Sequence, residues 1–135
     1  MKKLKGMLKA FNESKFVYLT TTSKEDKKRT RPMTNFNKSP YKPMWFPSFK
    51  DTRKIRDIRY NSLVTISFPA KEWNTWYKIE GEASEASWEE VKEKWKWWLL
   101  EWVPEKERKP LLYDNPFTDR SIIWVKPIKS VLSDN

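Results

Sequence analysis

Six short segments of this 135-residue chain are built like β-strands. β-Branched and aromatic residues crowd FVYLTTTS at 16–23, RTRPMTNF at 29–36, MWFPS at 44–48, SLVTISFPA at 62–70, TWYKIEGEASEAS at 75–87 and RSIIWVKPIKSV at 120–131. Such residues suit a pleated, half-buried surface. The polar turn KEDKK at 24–28 makes a hairpin of the first two. Pro32 brings no donor to a ladder, which predicts an edge or a bulge there. Gly81, inside the fifth segment, predicts a bulge or a close backbone approach. The last strand is expected to end near Pro127 or just beyond it. Mostly antiparallel strands of this number and length, in so small a chain, favour a closed or split barrel over a sandwich.

Helical spacing fills the intervals. Leu4, Met7, Leu8 and Phe11 predict an amphipathic helix over 2–13 that ends near Asn12 and contains Gly6. Asp51 or Thr52 can cap a second helix over about 52–60, with Ile55 and Ile58 inward and Arg and Lys outward. Ser87 and Glu90 form a capping box for a third. Along it Trp88, Val91, Trp95, Trp98 or Leu99, and Trp102 make one apolar stripe, and Pro104 stops it. Residues 37–43 and 105–118 read as loops. There is no repeat, linker or low-complexity tract, so residues 1–135 are expected to form one domain.

The chain has no Cys, no His and no Gln. That removes disulfides, thiolate nucleophiles, His-based triads and Cys/His metal sites. Redox chemistry would have to come from a bound organic cofactor. The same absence, with many Lys and Glu, goes with a heat-adapted source. Two glycines cannot make a GxGxxG or a P-loop. Glu80, Glu82 and Glu85 alternate partly with apolar residues and read as a solvent face, not a carboxylate pair. No residue stands out as a catalytic acid or base. MKKLKGMLKAF is basic but has no sustained apolar core, and no apolar run is long enough to cross a membrane. A cytoplasmic location is expected.

The net charge of +10 attracts polyanions: nucleic acid, anionic lipid or a phosphorylated cofactor. Nine Trp add stacking to that list. A basic nucleic-acid-binding barrel is one reading, and a lysine-rich surface over an aromatic core is the other. For the Trp-rich helix the second reading has it pack on the barrel and line a dimer or substrate cleft.

PSFKDTRKIRDI at 47–58 carries the sharpest signal. Here an extended run hands over to a helix, and Ser48, Thr52, Arg53 and Lys54 crowd the junction. Acids, not cations, normally favour a helix N-terminus. Free N–H groups and the positive dipole end bind anions readily. Arg53 can grip a phosphate bidentately, Lys54 adds a point charge, and Arg31 can bring a third cation from the hairpin. The plainer alternative is an exposed, solvated first turn.

The chain resembles the FMN-binding split-barrel superfamily, of the pyridoxamine 5'-phosphate oxidase-like and general-stress-protein type. FVYLTTT at 16–22, RPMTNF at 31–36, MWFPSFKDTRKIRDI at 44–58, NSLVTISF at 61–68 and IEGEASEAS at 79–87 carry the resemblance. Its most specific piece is Phe46 and Ser48 followed by Thr52, Arg53 and Lys54. The resemblance implies a mainly β, six-stranded antiparallel split barrel with flanking helices. It implies that Ser48, Thr52, Arg53 and Lys54 hold the FMN phosphate. Arg31, Pro32, Met33 and Thr34 would lie along the isoalloxazine and ribityl chain, with Pro47 also lining the site. It further implies a homodimer with flavin at the interface, and a flavin-dependent oxidoreductase of unknown substrate or a non-catalytic flavin carrier. Deazaflavin F420 is a possible substitute for FMN. The vitamin B6 oxidases carry a C-terminal Arg-x-His-type motif, so a chain without His is not expected to be a true pyridoxamine 5'-phosphate oxidase.

Overall fold

A computed structural model describes residues 1–108 and 119–134. In chain order the elements are α1 (Met7–Glu13), β1 (Phe16–Thr22), β2 (Lys28–Thr34), β3 (Met44–Phe49), α2 (Arg53–Tyr60), β4 (Leu63–Pro69), β5 (Thr75–Glu85), α3 (Trp88–Trp102) and β6 (Arg120–Asp134). The six strands form one sheet in the order β2-β1-β4-β5-β6-β3, antiparallel at every step. The sheet curls until its two edges, β2 and β3, approach each other. This is the expected split barrel, mainly β with flanking helices. Pro32 sits on β2, an edge strand, where its missing donor does no harm.

Strand alternation decides what faces inward. Val17, Leu19 and Thr21 of β1 are buried, and their cross-strand partners Met33, Arg31 and Arg29 share that face. The interior gathers Leu19, Met44, Phe46, Ile66, Phe68, Ile79 and Val125. Each such side chain, fully buried, stabilises the fold by about 1.5–3 kcal/mol. The two short helices close the two ends. At the start of β1, Phe11 of α1 meets Phe68 edge-on at 5.2 Å, and Asn35 donates to the carbonyls of Phe11 and Ser14. At the end of β1, α2 inserts Ile55 and Ile58.

A second apolar layer lies on the outer face of β3 and β6. Val91, Trp95 and Leu99 of α3 pack there with Trp45 and Ile122. The capping box forms as its spacing predicts: Ser87 accepts from the Glu90 N–H, and Glu90 accepts from the Ser87 N–H. Trp95 donates its indole N–H to the Ser121 carbonyl at 3.3 Å. The helix therefore packs on the barrel, but its stripe is buried only in the middle. Trp88 and Trp102, expected inward, are exposed. No helix among the described residues is long and apolar enough to cross a membrane.

Three boundaries differ from the sequence reading. Gly6 does not lie inside α1. It precedes the helix at φ 79°, and a Cβ there would meet the Tyr77 hydroxyl at 2.9 Å. β6 continues past Pro127 to Asp134, because the ladder shifts register between Glu80 and Gly81 and the proline sits at that irregularity. Gly81 serves both of its expected roles: it marks the shift, and a Cβ on it would fall 2.6 Å from Val125 Cγ1 and 2.8 Å from the Lys126 carbonyl. Within the expected 105–118 loop, residues 105–108 are helical, and 109–118 lie outside the described residues.

Candidate functional site

α2 starts where β3 ends, at the same end of the barrel as the close of β1 and the first half of β2. Thr52 occupies the N-cap position in extended conformation (φ −125°, ψ 159°), yet no side chain caps the helix. Its first turn contains no acid. The Ser48 and Thr52 hydroxyls lie 3.5 Å apart, and both donate to the Phe49 carbonyl, at 3.0 and 3.3 Å. Ser48 is buried on the interior side of β3, as alternation with Met44 and Phe46 requires. Pro47 points the other way. It is half-buried, in register with Ile122, on the face that α3 covers.

Arg53 and Lys54 open the helix. Arg53 is exposed, with no hydrogen bond or ion pair among the described residues. Lys54 is half-buried, and burial, then the nearby Arg31 charge, pushes its ammonium pKa below the usual lysine value. Arg31 of β2 lies near enough for its charge to act on Lys54. Arg31 is itself held below its ordinary value by burial, against the raising effect of Asp57, with Arg29 adding to the lowering.

The rest of the predicted set divides. Met33 is buried in the interior, on the same face of β2 as Arg31. Pro32 and Thr34 are exposed, on the opposite face of β2 from Arg31. The structure thus brings Ser48 to Thr52 and Arg31 to Lys54 at one end of the barrel, and leaves Pro32, Thr34 and Pro47 on outward faces.

Three participants were not singled out by sequence: Thr21, Arg29 and Asp57. Asp57 is 5% exposed. It accepts from Thr21 at 2.8 Å, and its oxygens lie 3.8 Å from Arg29 and 3.9 Å from Arg31. Asp57 falls off the Ile55–Ile58 stripe, so helical periodicity turns it outward. Only the proximity of β1 and β2 makes its position interior.

The arrangement is a cationic seat. Arg29 and Arg31 flank one buried carboxylate, Asp57, while Lys54 and the exposed Arg53 open the helix. Cations therefore outnumber the buried acid, and burial first and then the Arg31 charge lower the Lys54 pKa. Hydroxyls and the free N–H end of α2 stand beside it. Such a donor set fits a phosphate. An open cleft of about 800 Å³ lies at the other end of the barrel, between α1 and the β4–β5 turn, bordered by Lys5, Lys9 and Tyr77. None of the candidate residues lines it. Chemistry rather than volume locates the seat.

A model of the family described as pyridoxamine 5'-phosphate oxidase like matches residues 1–113. The chain belongs to the pyridoxamine 5'-phosphate oxidase like family. No curated protein matches it. Among solved structures it is similar to a candidate pyridoxamine 5'-phosphate oxidase from Listeria innocua, at 21% identity and TM-score 0.71 over 96% of each chain. It also resembles an F420 reductase, at 17% identity and TM-score 0.66, over 96% of this chain and 98% of that one. A pyridoxamine 5'-phosphate oxidase-related, FMN binding protein from Nostoc punctiforme matches at 11% identity and TM-score 0.67, over 94% of this chain and 79% of that one. At these identities the likeness is one of fold. The curled sheet with its flanking helices is the fold that these structures share with the chain.

Proposed function

We propose that this member of the pyridoxamine 5'-phosphate oxidase like family binds FMN and serves as a flavin-dependent oxidoreductase. The observation that carries the reading is the uncapped start of α2, where Arg53 has no partner among the described residues and Lys54 is depressed by burial and by Arg31. In this reading the FMN phosphate takes the place of a cap. Arg53 and Lys54 supply charge, and Ser48 and Thr52 turn their protons from the Phe49 carbonyl to phosphate oxygens. Arg31 reaches the phosphate or the ring edge, where a positive charge would favour electron density at N1 and the C2 carbonyl. Bound flavin would supply hydride or electron transfer, and the chain supplies anchoring, orientation and electrostatics.

Pro32, Thr34 and Pro47 enter this site only if the flavin extends over the outward faces of β2 and β3. A second copy of the chain would then complete the walls, so the reading includes a homodimer with flavin shared between subunits. It also includes one domain over 1–135 and a cytoplasmic location. A bound F420 is the second reading, supported by the likeness to an F420 reductase. Titration with FMN, followed by flavin fluorescence, tests the proposal. Saturable binding with a yellow isolated complex is expected, and NADH or NADPH should bleach it if the protein turns over. Absence of saturable FMN uptake at low salt would sink the FMN reading, and uptake of F420 alone would replace it. Bound flavin that no reductant bleaches would make the protein a carrier.

A further inference from the structure

We infer that Thr21 and Asp57 form a positioning device that aims the Arg31 guanidinium at the start of α2, without touching the anion themselves. The inference rests on the flavin reading above and concerns residues to which that reading gives no role.

Three elements meet here. Thr21 lies one residue before the end of β1 and is fully buried, Arg31 comes from the neighbouring β2, and Asp57 comes from the second turn of α2. Arg31 Nη1 donates to Thr21 Oγ1 at 2.7 Å, and Thr21 Oγ1 donates to Asp57 Oδ2 at 2.8 Å. The direction is fixed by chemistry, since a guanidinium only donates and a carboxylate only accepts. The single hydroxyl proton must therefore point at Asp57, and the lone pairs at Arg31. The direct Arg31–Asp57 separation is 3.9 Å, too long for a hydrogen bond. The short bonds run through the threonine instead.

That detour matters for function. A bidentate Arg–carboxylate pair would occupy the guanidinium fork. The relay holds Arg31 by one nitrogen, and the rest of its five N–H donors are left to meet an anion. Asp57 also offsets repulsion within the cation group, since Arg29 sits 3.8 Å from its other oxygen. A carboxylate this buried is costly unless paired and hydrogen-bonded. The relay and the two guanidinium groups supply that pairing, so the ligand is not required to neutralise it. Groups that hold a binding residue in place commonly change affinity without contacting the ligand.

The test uses the full chain and two probes, FMN and riboflavin, which differ by the phosphate. Thr21→Val keeps shape and charge but cuts the relay. It should weaken FMN binding about tenfold or more, the range for a lost hydrogen bond to a charged group, while riboflavin binding hardly moves. The melting temperature should fall, because buried Asp57 loses a donor, but unfolding should stay cooperative. Thr21→Ser retains the hydroxyl and should restore FMN affinity. Asp57→Asn keeps an acceptor for Thr21 and loses the charge, and it should show the same phosphate-selective loss. Unchanged FMN affinity in Thr21→Val overturns the inference, as does an equal loss for both probes. Tighter FMN binding in Asp57→Asn overturns it too, because Asp57 would then be a competitor of the phosphate. Wild-type protein that takes up no FMN overturns the flavin reading and this inference with it. Wild type that binds FMN no better than Thr21→Val overturns this inference alone.

Discussion

The starts of α2 and α3 obey the same physics and reach opposite outcomes. Each presents free N–H groups and a positive dipole end. At α3 the chain answers from within four residues. Ser87 and Glu90 close a capping box, Glu89 and Glu90 put acid in the first turn, and the backbone N–H of Ser87 holds the Glu90 carboxyl below its ordinary pKa. At α2 the chain withholds every one of these devices and puts Arg53 and Lys54 in their place. A terminus satisfied by its own sequence serves the fold. A terminus left open, with Arg53 and Lys54 at its start, is where the proposed FMN phosphate would sit.

Breaking the open terminus should have the largest effect. Replacing Arg53 and Lys54 together by Ala should weaken FMN binding about a hundredfold or more, as two charge-assisted contacts are lost. Circular dichroism and thermal melting without FMN should show an intact fold, because neither side chain belongs to the interior. Equal FMN affinity would remove both from the site.

The second effect is on pH. Lys54 is depressed in the free protein, and a bound phosphate favours its charged form. FMN binding should therefore weaken as pH rises through the lowered Lys54 value, by up to about tenfold per pH unit. The stability of the free protein should change with the opposite sign. Over the interval between the folded value and the unfolded value of 10.5, the unfolded chain holds more protons, so Lys54 makes the fold more stable as pH rises. Lys54→Met should abolish both trends, and FMN affinity that stays flat from neutral to alkaline pH would contradict the assignment.

The closed terminus gives the control. Ser87→Ala should cost about 1 kcal/mol of stability, measured by urea unfolding, and leave FMN affinity unchanged. A change in FMN affinity there would mean that the two termini are not separable. The smallest stability effect comes from making α2 resemble α3. Thr52→Asp gives it an acidic cap and should add about 0.3–1 kcal/mol of stability. The new carboxylate would occupy the place of the phosphate, so FMN should bind severalfold more weakly. Gain of stability without loss of FMN would show that the phosphate sits elsewhere.

Much of this could be read along the chain because it depends on near neighbours. The capping box spans three residues, and the β1–β2 hairpin closes over a short polar turn. Gly81 inside a strand announced a register irregularity, which the close approach of Val125 and Lys126 explains. Thr52, Arg53 and Lys54 stood out because cations at a helix start defy the local rule. What failed was set by contacts far along the chain. Gly6 looked like a flaw inside a helix until Tyr77, 71 residues later, came against it. Pro127 looked like a strand end because a proline lacks a donor, but the shifted ladder opposite Gly81 needed none from it. Trp88 and Trp102 fitted the apolar stripe, yet both are exposed, while Val91, Trp95 and Leu99 between them are buried against Trp45 and Ile122.

By itself, then, the sequence determined the alternation of six strands and three helices, the exclusion of His and Cys chemistry, and an electrostatic anomaly at residues 52–54. Each follows from local propensity, side-chain inventory or the dipole of a helix whose first residues are adjacent in the chain. Only the tertiary structure decided that Arg31 would stand beside Lys54, that Pro47 and Ser48 would face opposite layers, and that Asp57 would be interior. Thr21 and Asp57 are 36 residues apart, and no periodicity relates a strand end to a helix turn. Their meeting depends on α2 closing the end of a barrel that exists only after the sheet has curled.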